Sequence, residues 1–172
     1  GIQLARGLLL AGATFLYFTS LSVLPLADAA AIGFVLPLFV AVLAVPMLGE
    51  RLDLSRTVAI LAGLLGALLI VRPGSSVFTW YALLPVAMAG CNALYQILTR
   101  RIVGRENPMT TLFYTALVGA AVTSLGLPFA WHTPALWQVP FIIAIGLLGG
   151  FGHFLLIRAV AQASPSALAP FI

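Results

Sequence analysis

Residues 29–49 read AAAIGFVLPLFVAVLAVPMLG, an apolar run closed by Asp28 on one side and by Glu50 and Arg51 on the other. The run has the length of roughly 20 residues that an α-helix needs to cross the hydrocarbon of a bilayer. It shows no alternation of apolar and polar positions, and an open strand would leave unpaired backbone groups in lipid, so a helix is the reading. Working outward from charge to charge, runs of the same kind precede it at 7–27 and follow it at 57–71, 78–99, 108–130 and 136–157, and another begins near Ala159. The predicted fold is therefore an all-α polytopic transmembrane bundle with about seven spans. The run at 57–71 is short, which requires Arg56 and Arg72 to extend their side chains to opposite interfaces.

Composition agrees. Of the 172 residues 62% are hydrophobic and only 7% charged, against roughly 25% charged in soluble domains. Too few charges are present to cover a water-exposed surface. Every basic residue is arginine, and the arginines lie between the spans, so a topology signal accounts for the basic balance and nucleic acid is not an expected partner. Counting loops alternately, Arg6, Arg51, Arg56, Arg100, Arg101, Arg105 and Arg158 share one side, with Arg72 alone on the other. The crowded side is predicted to be cytoplasmic, so the first span runs from inside to outside. Trp80, Tyr81, Trp131, His132 and Trp137 then form an aromatic belt at the outer interface. The run Arg100, Arg101 and Arg105 reads as an anchor to anionic lipid. Cys91, the single cysteine, has no intrachain disulfide partner and reads as a small packing residue. The chain starts at Gly1, shows no signal peptide, and stops inside an apolar run, so a longer protein cut at both ends is expected.

Sliding the chain on itself by 139 residues pairs 1–33 with 140–172 without a gap. Ala5, Gly7, Leu8, Leu9, Phe15, Leu16 and Ala30 meet Ala144, Gly146, Leu147, Leu148, Phe154, Leu155 and Ala169. The match superposes the first span on the sixth. Their separation is an odd number of spans, so the copies cross in opposite directions. Inverted repeats with a site near the midplane are a mark of secondary transporters.

Polar and helix-breaking residues inside the spans are the candidate working parts. Pro37 cannot donate to the Gly33 carbonyl, so its helix loosens there, either as a hinge or cavity wall or as a static kink. Pro85 reads as packing. Asn92, Tyr95 and Gln96 share a helix face, either to bond substrate or to bond neighbouring helices. His153 is a proton-coupling candidate, the alternative being a neutral histidine bonded to a neighbour. Gly149, Gly150 and Gly152 before it allow close helix approach. The repeat pairs His153 with Thr14; Thr14, Tyr17, Phe18 and Phe34 complete the cavity candidates. Asp28 is expected to cap the second helix. Ala59, Gly63 and Ala67, with Ala62 and Gly66, form a small-residue face for tight packing within the chain, or alternatively a homodimer face. No P-loop, HExxH or GxSxG pattern occurs, so neither ATP-driven transport nor these enzyme chemistries is encoded in this sequence, and no cofactor or metal is expected.

The stretch Pro25 to Ile32, then Pro37-Leu38-Phe39, Gly49-Glu50-Arg51-Leu52 and Gly63 to Pro73, resembles the EamA-type drug/metabolite transporters, and Ala159 to Pro170 resembles the matching stretch of their second repeat. The resemblance implies ten spans in two inverted five-span repeats, with the third to ninth spans in this chain. Residues 1–72 are then the last three spans of the first repeat, and 73–172 the first spans of the second, truncated in its fourth. It further implies a metabolite or drug exporter of the bacterial inner membrane working by alternating access, and a structural or gating ion pair at Glu50 and Arg51. The expected partners are an unidentified small-molecule substrate and the lipid bilayer. The competing functions are an intramembrane enzyme acting on a lipid, which would need paired acids, a metal cluster or a nucleophile with a base, and a non-catalytic scaffold subunit.

Overall fold

The computed structural model describes residues 1–50, 53–71, 79–131 and 133–168. Arg51, Arg72, His132 and the stretch 169–172 lie outside the described residues, as does the side chain of Arg56. The helices in chain order are α1 (Ile2–Leu21), α2 (Leu26–Gly33), α3 (Leu36–Leu48), α4 (Leu54–Val71), α5 (Leu83–Ile102), α6 (Pro108–Ala130), α7 (Val139–Gln162) and the short α8 (Pro165–Leu168). Single 3-10 turns, Trp80–Ala82 and Leu136–Gln138, lead into α5 and α7. Among the described residues the only β-type pairing is an isolated bridge between Val103 and Glu106. Five segments are long and apolar enough to cross a membrane, α2 and α3 counting as one, and the apolar part of α4 is shorter. The chain is a multi-pass integral membrane protein with an all-α fold.

The interior is unlike that of a soluble bundle. Its buried positions are dominated by Ala13, Ala29, Ala31, Ala41, Ala44, Ala89 and Ala93, while Phe15, Leu69, Ile145 and Leu148 face outward. Lipid tails are as apolar as leucine, so burying large apolar side chains gains little, and close backbone approach decides the packing. Among the described glycines the closest approach is at Gly7, between α1 and α6, where an added Cβ would lie 2.5 Å from the Cβ of Val118.

α5 is the hub, packing against α1, α2, α3 and α7. The start of α1 meets the end of α5 through Arg6 and Thr99, so these helices are antiparallel. Gln3 meets Thr111 and Gly7 meets Val118, so α1 and α6 run the same way. Tyr95 meets His153 and Arg100 meets Val160, so α5 and α7 run the same way. It follows that α1 and α7 point in opposite directions. Arg6, Arg100, Arg101, Arg105 and Arg158 gather at one end of the bundle, and the exposed rings of Trp80, Tyr81, Trp131 and Trp137 lie toward the other.

Several boundaries differ from the sequence reading. α1 begins at Ile2 and not at Gly7, because Arg6 is taken into the bundle instead of ending the span. The run 29–49 is two helices, with a break at Phe34 and Val35 just ahead of Pro37, where the missing amide loosens the backbone as expected. α7 runs past Arg158 to Gln162, so the next helix starts at Pro165 and not near Ala159. Asp28 does not cap α2: Pro25 holds that position, and Asp28 sits in the first turn, where a carboxylate favours the positive end of the helix dipole. Gly49 ends α3 with a left-handed φ of 69°, and the Glu50 amide reaches back to the Ala44 carbonyl at 3.4 Å.

Of the small-residue face expected on α4, Ala67 is buried, while its glycines make no close approach. Among the described residues nothing lies within 4 Å of a Cβ built on Gly63, Gly66, Gly149, Gly150 or Gly152, and α4 buries Ile60 and Ala67. A repeat of small residues permits close approach, but a neighbour must be present to use it.

Candidate functional site

Arg6 is fully buried, at 0% exposure, one turn into an apolar helix. A charge at that depth requires polar partners. Its Nε donates to Thr99 Oγ1 at 2.9 Å, and Nη1 donates to Gln3 Oε1 at 2.6 Å. Gln3 Nε2 in turn donates to a Glu106 carboxylate oxygen, with Thr111 Oγ1 at 3.4 Å. The guanidinium carbon stands 5.0 Å from the centroid of the Tyr95 ring, a cation–π distance. The far side of Tyr95 meets the His153 ring edge-on, with centroids 6.0 Å apart. One line of side chains thus runs from α1 through α5 to α7.

This line is incompletely satisfied. Among the described residues, Arg6 Nη2, Tyr95 Oη, Gln96 Oε1 and His153 Nδ1 are buried with no partner at hydrogen-bond geometry. Such atoms are rare in folded proteins because each costs about 1–3 kcal/mol.

The sequence-predicted residues divide into three groups. Tyr95, Gln96 and His153 belong to the line or flank it, and Asn92 accepts from Gln96 Nε2 at 3.1 Å. Asn92 and His153 also line a cavity of 500 Å³ with Gly149, Gly152, Leu156 and Leu168. Thr14 and Phe18 lie apart, on an outward groove of 720 Å³ between α1 and α6 that includes Thr115, Gly119 and Thr123. Tyr17 is half-buried beside Phe18, Phe34 is exposed, and Pro37 is half-buried at the start of α3. The helix break beside Pro37 borders a third cavity, of 480 Å³, through Ala31, Ile32 and Val35, with Leu64 and Trp80 opposite. Pro85 is buried in the first turn of α5, as a packing residue should be.

Arg100 and Arg101 bind helix ends. Arg100 Nη1 donates to the Val160 carbonyl at 2.6 Å and Arg101 Nη2 to the Met47 carbonyl at 2.9 Å. Each arginine satisfies a carbonyl near the end of a helix and opposes the negative pole of its dipole. Arg100 and Arg101 thus hold helix carbonyls beside the anchoring to lipid read from the sequence. Glu50 accepts a hydrogen bond from Ser166 Oγ, joining the end of α3 to α8; its expected partner Arg51 lies outside the described residues. Among the described residues no group of His, Cys, Asp or Glu is arranged to hold a metal ion.

Residues 1–72 match the model of the EamA-like transporter family. Over those residues the chain is similar to that family. Similar proteins include an S-adenosylmethionine uptake transporter of Rickettsia bellii, 31% identical over 170 residues, covering 99% of this chain and 58% of the relative. A pseudopaline exporter of Pseudomonas aeruginosa is 31% identical over 173 residues, covering 96% of this chain and 59% of the relative. A riboflavin transporter of Rhizobium johnstonii is 30% identical over 170 residues, covering 98% and 56%. The chain thus spans under two thirds of the length of the curated relatives it matches. No solved structure matches it.

The sequence reading misses the centre of this polar line. Arg6 was assigned to topology, and Gln3, Thr99, Thr111 and Glu106 to nothing. A signal was present: Gln3 and Arg6 are three residues apart on one helix face in an otherwise apolar run. An arginine preceded by a bonded glutamine belongs to the bundle and does not mark the end of a span.

Proposed function

We propose that the protein carrying this chain is a secondary transporter, moving a small organic metabolite across the bacterial inner membrane by alternating access. It is a carrier and not an enzyme. The observation that carries the reading is the buried, partly unsatisfied polar line Arg6–Tyr95–His153, set in an apolar bundle of a transporter family. Polar groups inside a membrane bundle mark substrate and ion pathways. In the proposed division, residues 1–72 close a first repeat and 73–172 open a second. The family match over 1–72 supports that boundary, and the opposed directions of α1 and α7 support an inverted relation between the copies. The break between α2 and α3, bordering a cavity, supplies a discontinuous helix of the kind that builds transporter sites. Asn92, Tyr95, Gln96 and His153 face substrate, with Thr14, Tyr17, Phe18, Phe34 and Pro37 on surfaces that the rocking of the repeats would bring into play.

Relatives of equal similarity are named for uptake and for export, and for three different metabolites. The test is therefore flux in both directions. Full-length protein in proteoliposomes, with imposed ion gradients, is assayed on amino acids, nucleosides, S-adenosylmethionine, riboflavin and common drugs. At least one compound should move in a gradient-sensitive way. A flat response across the panel sinks the proposal.

A further inference from the structure

Arg6 has spent two of its three nitrogens and kept one. Nε is held by Thr99 and Nη1 by Gln3, while Nη2 is buried and unpartnered. No carboxylate among the described residues contacts the guanidinium; Glu106 is reached only through Gln3. The cation is therefore held in place by neutral groups and offset at one remove by Glu106. Beside it the Tyr95 hydroxyl, a donor, is also buried and unpartnered. Nearby, among the described residues, Gln96 Oε1 and His153 Nδ1 lack partners, and His153 also lines a 500 Å³ cavity on the α7 side.

We infer that Arg6 and Tyr95 form a subsite for the carboxylate of a small metabolite, Arg6 Nη2 and Tyr95 Oη donating to its oxygens. The inference rests on the transport reading above and names the class of substrate that the site takes. The anchoring bonds from Thr99 and Gln3 fix the guanidinium plane in advance, so little side-chain entropy is lost on binding. A carboxylate supplies the missing counter-charge, and charge-assisted bonds of this kind are about twice as strong as neutral ones. The single free nitrogen suits a carboxylate better than a phosphate dianion, which needs more donors than this pair offers. In the conformation described, Arg6 is fully covered by Tyr95 and its neighbours, so entry of a ligand moves Tyr95 or His153 aside; this is the occluded form of the subsite.

The test uses purified full-length protein in detergent, with thermal stabilisation as the readout. The probes are the common L-amino acids, lactate and benzoate, each compared with its own primary amide. At least one carboxylate should stabilise the protein, and its amide should bind about tenfold more weakly or not at all. Arg6→Gln should weaken that carboxylate by at least about tenfold and remove the discrimination against the amide. Tyr95→Phe, which keeps the ring against Arg6, should reduce affinity by a smaller factor and guards against a misfolded Arg6 variant. Equal binding of acid and amide, unchanged affinity in both variants, or no response to any carboxylate overturns the subsite. Flux in the proteoliposome panel is scored separately. A protein that moves only uncharged compounds would keep the transport reading and lose this one.

Discussion

The seam between α1, α5 and α6 and the outer faces of α4 and α7 are built from similar residues and behave in opposite ways. In the seam a single glycine, Gly7, sits against Val118 with no room for a methyl group. On α4 and α7 five glycines, Gly63, Gly66, Gly149, Gly150 and Gly152, have open space where a side chain would be. The seam also holds the charged and hydroxyl groups that tie helices together, Arg6 to Thr99 and Gln3 to Glu106. The lesson is that the number of small residues on a helix says little about contact. One glycine with a polar clamp next to it marks an interface better than a long stripe without one.

The contrast can be broken by substitution, read as thermal unfolding of the full-length protein in detergent. The largest expected loss is from Arg6→Ala. It removes a fully buried side chain, two hydrogen bonds and the stacking on Tyr95, and should cost about 3 kcal/mol. A wild-type melting curve would make the clamp decorative. Next is Gly7→Ala, whose methyl group must push Val118 or separate α1 from α6, at about 2 kcal/mol. If Val118→Gly, which removes the Cβ that the new methyl meets, restores the Gly7→Ala protein, the clash is confirmed as the cause. Asn107→Ala should cost about 1 kcal/mol, because Asn107 accepts from the Met109 amide at 2.9 Å and starts α6 beside the Glu106 contact. The smallest effect belongs to Gly63→Ala. With no neighbour in the way it should leave stability unchanged or raise it by up to about 1 kcal/mol, since alanine is the better helix former. A loss there as large as at Gly7 would mean that another part of the assembled protein covers α4, and would erase the distinction between the two regions.

Much of the site was legible without coordinates. Tyr95, Gln96, Asn92 and His153 stand out as polar groups on apolar runs, and the structure brings Tyr95 and His153 into ring contact across two helices. Pro37 marked the broken helix correctly, because a missing amide acts on its own chain wherever that chain is placed. Thr14 and Phe18 were grouped with the same cavity but open onto a separate groove. The span edges at Arg6 and Arg158 were misplaced because a charge was taken as a boundary, although a bundle can carry one inside when partners wait there.

By itself the sequence determined that this chain lies in a membrane as helices and roughly where the apolar runs fall. It also identified the arginine-rich end of the bundle. Those are sums over single residues: hydropathy along a run, charge between runs, a proline's missing hydrogen. Tertiary structure alone decided that Arg6 faces inward, that Gly7 and not the glycine stripes makes the close approach, and that Arg100 and Arg101 hold helix ends. Each of those depends on which neighbour stands opposite. In a bilayer, where apolar side chains are at ease on either side of a helix, hydropathy gives no preference for one neighbour over another.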